Sequence, residues 1–209
     1  MGRLAKIMML TLALALWAAA CSSSSADGVY EVRELGFKLS LPDGPAVITQ
    51  SQASHSEKQL AETFKLRNSL KNFRAAMTAA RTYLYAFSSD RSFDMCISDM
   101  EGKKYIGASD FSEVDDETLR ALTQMAADLV TDDDDFQIQH QGAHRAPGAV
   151  FSRILISLAD DGQGALYVYS YLTVHDYQMI NIDFSGPSPE ALEEQRPLQE
   201  KILDSLVFD

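Results

Sequence analysis

Leu166-Tyr167-Val168-Tyr169-Ser170-Tyr171-Leu172-Thr173-Val174-His175-Asp176-Tyr177-Gln178-Met179-Ile180-Asn181-Ile182-Asp183-Phe184 is the stretch on which the fold turns. Successive side chains of a strand point to opposite faces, so Tyr167, Tyr169 and Tyr171 share one face and Leu166, Val168 and Leu172 the other. Residues 165–174 and 178–184 are predicted to pair as a hairpin around His175-Asp176-Tyr177, entered through the Gly-rich turn Asp161-Gly162-Gln163-Gly164. Two readings of the tyrosine face stay open. Exposed, Tyr167, Tyr169 and Tyr171 form a candidate interaction surface of stiff, amphipathic rings. Covered by a helix, they are a core face with hydroxyls reaching its rim. Tyr83, Tyr85 and Phe87 repeat the same alternation earlier in the chain.

Outward from this hairpin, strands and helices interleave. Phe37, Leu39 and Leu41 alternate with Lys38 and Ser40, which predicts a half-buried strand over 36–41. Pro42-Asp43-Gly44-Pro45 then turns the chain into a return strand at 46–50. Residues 56–80 have helical character, with Ser56 and Gln59 in capping-box spacing. Leu66, Leu70, Phe73 and Met77 form its apolar stripe, and Leu60 with Phe64 falls out of phase, so a bend is expected near Asn68-Ser69. Residues 82–88 and 92–98 are predicted strands joined by Ser89-Asp90-Arg91. Asp115-Asp116-Glu117 opens a helix to about Val130, its acids at the positive end of the dipole. Strands at 136–141 and 150–158 flank a Gly/Pro-rich turn over 142–149. Ser188-Pro189-Glu190 starts a last helix that Pro197 should interrupt, because proline lacks the amide donor and crowds the preceding turn. Helices interleaved with antiparallel hairpins make the fold class α+β, an antiparallel sheet flanked by helices. The chain reads as a single domain over 29–209.

The chain has 209 residues, 46% hydrophobic and 23% charged, the balance of a folded globular protein. Its net charge of −12 speaks against nucleic acid as a partner, since phosphate binding needs clustered Lys and Arg. The same deficit opposes docking by charge on an anionic bilayer. Two cysteines supply neither a disulfide scaffold nor a zinc cage.

The N-terminus carries Arg3 and Lys6, then an uncharged run over 7–20, then Ala18-Ala19-Ala20-Cys21 and four serines. Such a run is too short to span a bilayer, which takes about 20 apolar residues, and suits a signal-peptide core over 1–20. Small residues directly before a cysteine resemble the bacterial lipobox. That resemblance implies diacylglyceryl transfer to the Cys21 thiol and cleavage before it. The family more often has Leu where this chain has Ala18. Ordinary secretion, with the alanines as cleavage site and Cys21 left free, is the alternative. In the lipobox reading, residues 21–28 are a lipidated cysteine and flexible tether, and the membrane is a partner through its anchor. The domain then stands on the outer face of the bacterial cytoplasmic membrane. Cleavage removes Arg3 and Lys6 and no acid, which leaves a net charge of −14. With Cys21 acylated, Cys96 is the remaining thiol, and its strand-like surroundings read as those of a small packed residue.

The order of elements is itself suggestive. A first hairpin ends in Leu41-Pro42-Asp43-Gly44, a helix leads into Tyr83-Leu84-Tyr85-Ala86, an acid-started helix and a tyrosine-rich hairpin follow, and Ile202-Leu203-Asp204-Ser205-Leu206-Val207-Phe208 closes the chain. Over 29–209 this resembles small lipoproteins of anaerobic Gram-positive bacteria without assigned function. Their order is in turn similar to the PsbP-like α/β/α sandwich of the photosystem II extrinsic protein. Pro197 departs from the uninterrupted last helix of that pattern. No catalytic or binding residues are assigned in the lipoprotein group, so the resemblance carries none over.

Candidate chemistry is sparse. Asp132-Asp133-Asp134-Asp135 could attract Ca²⁺, but the spaced acids and glycine of a working calcium loop are missing, and adjacent acids favour a solvated turn. His140 and His144 have metal-ligand spacing only on a helix, whereas Gly142 and Pro147 place them at a strand end and turn. His175 beside Asp176 belongs to the hairpin tip. There is no G-x-S-x-G elbow, H-E-x-x-H, P-loop or dinucleotide fingerprint. The expectation is a non-catalytic binding or accessory module of the cell envelope, without cofactor or metal, with an envelope protein as partner. The alternative is a lipoprotein that binds a small molecule or a divalent cation.

Overall fold

The tyrosine-rich hairpin forms the middle of a seven-stranded antiparallel sheet. The computed structural model describes residues 28–49, 81–88, 92–99, 108–130, 136–158 and 166–209. Several predicted features lie outside these residues: the segment 1–20, Cys21 and its tether to 27, the helix at 56–80, the Ser89-Asp90-Arg91 turn, the Asp132-Asp133-Asp134-Asp135 run and the 161–164 turn. In chain order the strands are β1 (Val29–Val32), β2 (Phe37–Ser40), β3 (Ala46–Thr49), β4 (Thr82–Phe87), β5 (Asp94–Asp99), β6 (Phe136–Arg145), β7 (Val150–Leu158), β8 (Leu166–His175), β9 (Gln178–Gly186) and β10 (Val207–Phe208). The helices are α1 (Asp116–Val130), α2 (Pro189–Glu194) and α3 (Arg196–Asp204). The large sheet has the order β3-β4-β5-β9-β8-β7-β6, and β1, β2 and β10 form a small second sheet. This is the α+β architecture of an antiparallel sheet with flanking helices.

Register divides the faces of the large sheet. Across β8 and β9, Tyr171 pairs with Ile182 and Tyr169 with Phe184, while Ser170 pairs with Asp183 and Leu172 with Asn181. The first face packs into the main core, where Phe37, Leu39, Phe151, Tyr171, Ile182 and Phe184 meet Leu192, Ile202 and Leu203 of α2 and α3. Phe184 is the hub of the aromatic packing, with its ring edge-on to Tyr171 at 5.8 Å and to Phe93 at 6.2 Å. At one end of the second face, Leu172, Val174, Met179 and Val150 pack with Phe111, in the turn before α1, and with Leu119 of α1.

Three local outcomes differ from the sequence reading. The strand expected at 136–141 continues to Arg145, because a register shift between His140 and Ala143 absorbs Gly142, whose φ of 102° suits a bulge. The hairpin tip is only Asp176-Tyr177, with His175 already paired to Gln178. Both tip residues have positive φ, 46° and 63°, as a two-residue type I′ turn demands. The Tyr177 amide donates to the Ser109 carbonyl at 2.9 Å, which holds the tip against the loop before α1. The last helix does break, but at Gln195, so Pro197 falls in the first turn of α3, where a missing amide costs nothing.

Phe184→Ala should destabilise the fold by about 3–5 kcal/mol, the usual loss for a buried aromatic ring, measured by urea unfolding. A loss below about 1 kcal/mol would mean that this face is not packed as described.

Candidate functional site

The tyrosine face is covered. Tyr171 is 0% and Tyr169 5% exposed, and Tyr167 is half-buried at the margin of the same core. Tyr171 Oη donates to Gln199 Oε1 at 3.0 Å, and Gln199 Nε2 donates to the Leu192 carbonyl at 3.1 Å. Tyr169 Oη donates to Glu193 Oε2 at 3.1 Å, with the Arg153 guanidinium 5.2 Å from its ring centre. The candidate interaction surface of Tyr167, Tyr169 and Tyr171 is therefore corrected: the apolar side of α2 and α3 lies on Tyr169 and Tyr171, whose hydroxyls are spent on those helices, and Tyr167 is half-buried at the margin. Burial pushes the Tyr171 hydroxyl up to about 12. The alternation of Tyr83, Tyr85 and Phe87 also fails. A register shift between Thr82 and Leu84 sends Tyr83 into the main core, while Tyr85 and Phe87 stack on the other face at 5.1 Å.

On that other face polar side chains line up across the strands. One row runs Tyr85, Cys96, Asp183, Ser170, Ile154, His140, and the next runs Ser98, Asn181, Leu172, Ser152. Among the described residues, the buried side-chain atoms without a hydrogen-bond partner are His140 Nε2, Ser152 Oγ, Asn181 Oδ1 and Asp183 Oδ1. All four stand on this one face. A buried polar group left unpaired costs about 1–3 kcal/mol, so their concentration on one surface calls for a physical cause.

Asp183 is the centre of the group. Burial pushes its carboxyl up to about 6, and the Ser170 hydroxyl and Cys96 thiol offset only part of that effect. The thiol donates weakly to Asp183 Oδ2 at 3.8 Å. Burial, reinforced by the negative charges of Asp183 and Asp94, raises the Cys96 thiol well above its ordinary value. A thiol so placed stays protonated and is a poor nucleophile. Beside it, Tyr85 Oη donates to Asp94 Oδ2 at 2.5 Å.

Asp99 provides an internal contrast. It is 5% exposed, yet Arg81 grips both its carboxylate oxygens, and Gln178 Nε2 adds a bond at 3.3 Å. Arg81 reaches it from a backbone with φ of 48° and also donates to Tyr83 Oη at 3.0 Å. Among the described residues, no cation stands in the corresponding place at Asp183.

The histidines are kept apart. The bulge at Gly142 leaves His140 opposite Ile154 and turns His144 to the other face, opposite Phe151, so they share no metal. The Gly142 amide donates to His140 Nδ1 at 3.2 Å, which places the ring proton on Nε2. Burial, then the charge of Arg120, lowers its pKa. His144 hydrogen-bonds Asp204 at 2.9 Å, and His175 hydrogen-bonds Asp110 at 2.8 Å while stacking on Phe208 at 3.7 Å. Among the described residues, no three His, Cys, Asp or Glu side chains gather as a metal site.

The carboxyl of Asp183 binds its proton more tightly in the folded chain than in the unfolded one, where the value is near 4. This contribution favours the fold fully below about pH 4 and is lost as pH rises through about 6, a change of about 3 kcal/mol. Asp183→Asn should accordingly match wild type in urea at pH 4 and exceed its stability at pH 7.5. Parallel pH profiles for the two proteins would contradict the placement of this carboxyl.

No family model and no curated protein matches this chain. Among solved structures it is similar to the solution structure of cyanobacterial PsbP (CyanoP) from Synechocystis sp. PCC 6803, at 12% identity and a TM-score of 0.46, over 90% of this chain and 97% of that chain.

Proposed function

We propose that this chain is a lipid-anchored, extracytoplasmic binding module of the bacterial cell envelope, without catalytic activity, and that it holds a small polar molecule on the second face of the large sheet. The observation that carries the reading is the set of unpaired polar atoms on that face, Asp183 and Asn181 foremost. Polar groups this close to a packed core are worth keeping unpaired where a ligand supplies the missing bonds. The protonated Cys96 thiol supports binding over chemistry. So does the distance of His140, three strands away from Asp183 in the same row, or roughly 14 Å at the usual strand spacing. A protein partner would need a surface other than Tyr167, Tyr169 and Tyr171.

The anchor rests on Ala18-Ala19-Ala20-Cys21 behind a basic start and an apolar run. Two acyl chains on Cys21 would give stable attachment where one gives only reversible binding. The tether joins the fold at Gly28, whose carbonyl accepts from the Leu41 amide at 2.9 Å. Gly28 has a φ of 67°, and a Cβ there would meet the Leu41 carbonyl oxygen at 2.9 Å, so this junction requires glycine. Residues 22–27 reach at most about 20 Å when extended, which keeps the domain close to the surface. Among the described residues no helix is long and apolar enough to cross a membrane.

Metabolic acyl labelling tests the anchor: wild type should incorporate label and sediment with membranes, and Cys21→Ser should do neither. Equal labelling of both would overturn it. For the binding role, a panel of small cationic, neutral and anionic solutes should contain one class that raises the melting temperature of wild type and not of Asn181→Leu. No response to any class would end the reading.

A further inference from the structure

Resting on the binding role just proposed, we infer that the ligand is a small organic cation, whose ammonium donates to Asp183 Oδ1 and Asn181 Oδ1 while its alkyl part lies toward the Tyr85–Phe87 ring pair. Three observations converge on this chemistry. The two unpaired atoms on β9 are both acceptors, on residues two apart and therefore on the same face. They ask for a donor-rich partner, and an ammonium carries three donors and no acceptor. Next, among the described residues Asp183 has no counter-charge. Its neighbours in the row are a thiol and a hydroxyl, weak and neutral donors, where Asp99 has a guanidinium and an amide. A buried carboxylate in that state is stabilised by a cation brought from outside.

The third observation is an aromatic pair two strands away on the same face, roughly 10 Å at the usual strand spacing. Tyr85 is next to Cys96 in the same row as Asp183, and its ring stacks with Phe87 at 5.1 Å and an interplanar angle of 26°. A half-exposed aromatic pair next to carboxylates suits an alkylammonium, through ring contact with its methylenes and cation–π attraction. A hard divalent ion fits less well, since Ca²⁺ takes six to eight oxygens and several carboxylates, and Asp183 offers one carboxylate with a thiol at its side. Among the described residues, the groups facing Asp183 are Cys96 and Asp94 from β5, Tyr85 from β4 and Ser170 from β8, so the pH dependence of binding should follow Asp183.

Isothermal titration of the full chain carrying Cys21→Ser tests this with butylammonium chloride, using butyramide, butyrate and CaCl₂ at matched ionic strength as comparisons. Butylammonium should bind saturably at pH 7.5 and about ten-fold more weakly at pH 5, as Asp183 takes up its proton. Asp183→Asn should lose binding while melting cooperatively, and Glu193→Gln, on the opposite face, should bind as wild type does. Unchanged binding by Asp183→Asn would overturn the inference, and so would saturable binding of Ca²⁺ in place of butylammonium. Asp183-dependent binding of butyramide or butyrate alone would overturn the cation and leave the binding role standing. Absence of any saturable binding would overturn both.

Discussion

Because side chains alternate strictly along a strand, pairing Tyr171 with Ile182 and Ser170 with Asp183 fixes the character of both faces at once. One face receives Tyr169, Tyr171, Ile182 and Phe184 and is closed by α2 and α3. The other receives Ser170, Asn181 and Asp183, and Phe111 and Leu119 pack on its far end. A slip of one residue would turn Asp183 under α2 and α3 and move Phe184 to the second face. The tip geometry at Asp176-Tyr177 and its bond to Ser109 hold that register from the end of the hairpin.

The two acids of neighbouring strands show how differently one sheet treats a buried carboxylate. Asp99 is neutralised within the fold by Arg81, at the expense of a left-handed backbone at the arginine. Asp183 is left with a thiol and a hydroxyl. The electrostatic cost of the second arrangement is what makes it informative, since apolar residues of similar volume would pack there without that cost. Its neighbours share the pattern, with Ser152 fully buried and unpaired and the neutral His140 ring holding an unused donor.

Much of the fold was legible because alternation and turn chemistry act locally. The β8–β9 hairpin, the acid-capped start of α1, where the Thr118 amide donates to Asp115 at 2.7 Å, and the break before Pro197 all follow from neighbouring residues. Bulges were not legible. The shifts at Thr82/Leu84 and at His140/Ala143 each move a residue to the opposite face, which parted Tyr83 from Tyr85 and His140 from His144. Alternation places Tyr167, Tyr169 and Tyr171 on one face, but the cover of that face comes from residues 189–204, and alternation does not say what lies on it. Asp183 went unnoticed for a related reason. Asn181 and Asp183 look like the solvent side of a half-buried strand, and alternation does not show that their Oδ1 atoms are enclosed.

The account joins an acidic domain to one carboxylate, Asp183, that has no charged partner among the described residues. With a net charge of −12, the chain repels an anionic surface and attracts cations. The most direct measurement is a carboxyl ¹³C NMR titration of Asp183 in the full chain, with and without butylammonium. The account predicts a midpoint near 6 in the free protein, moving downward when the cation is bound. A midpoint in the ordinary aspartate range, unmoved by the cation, would contradict it.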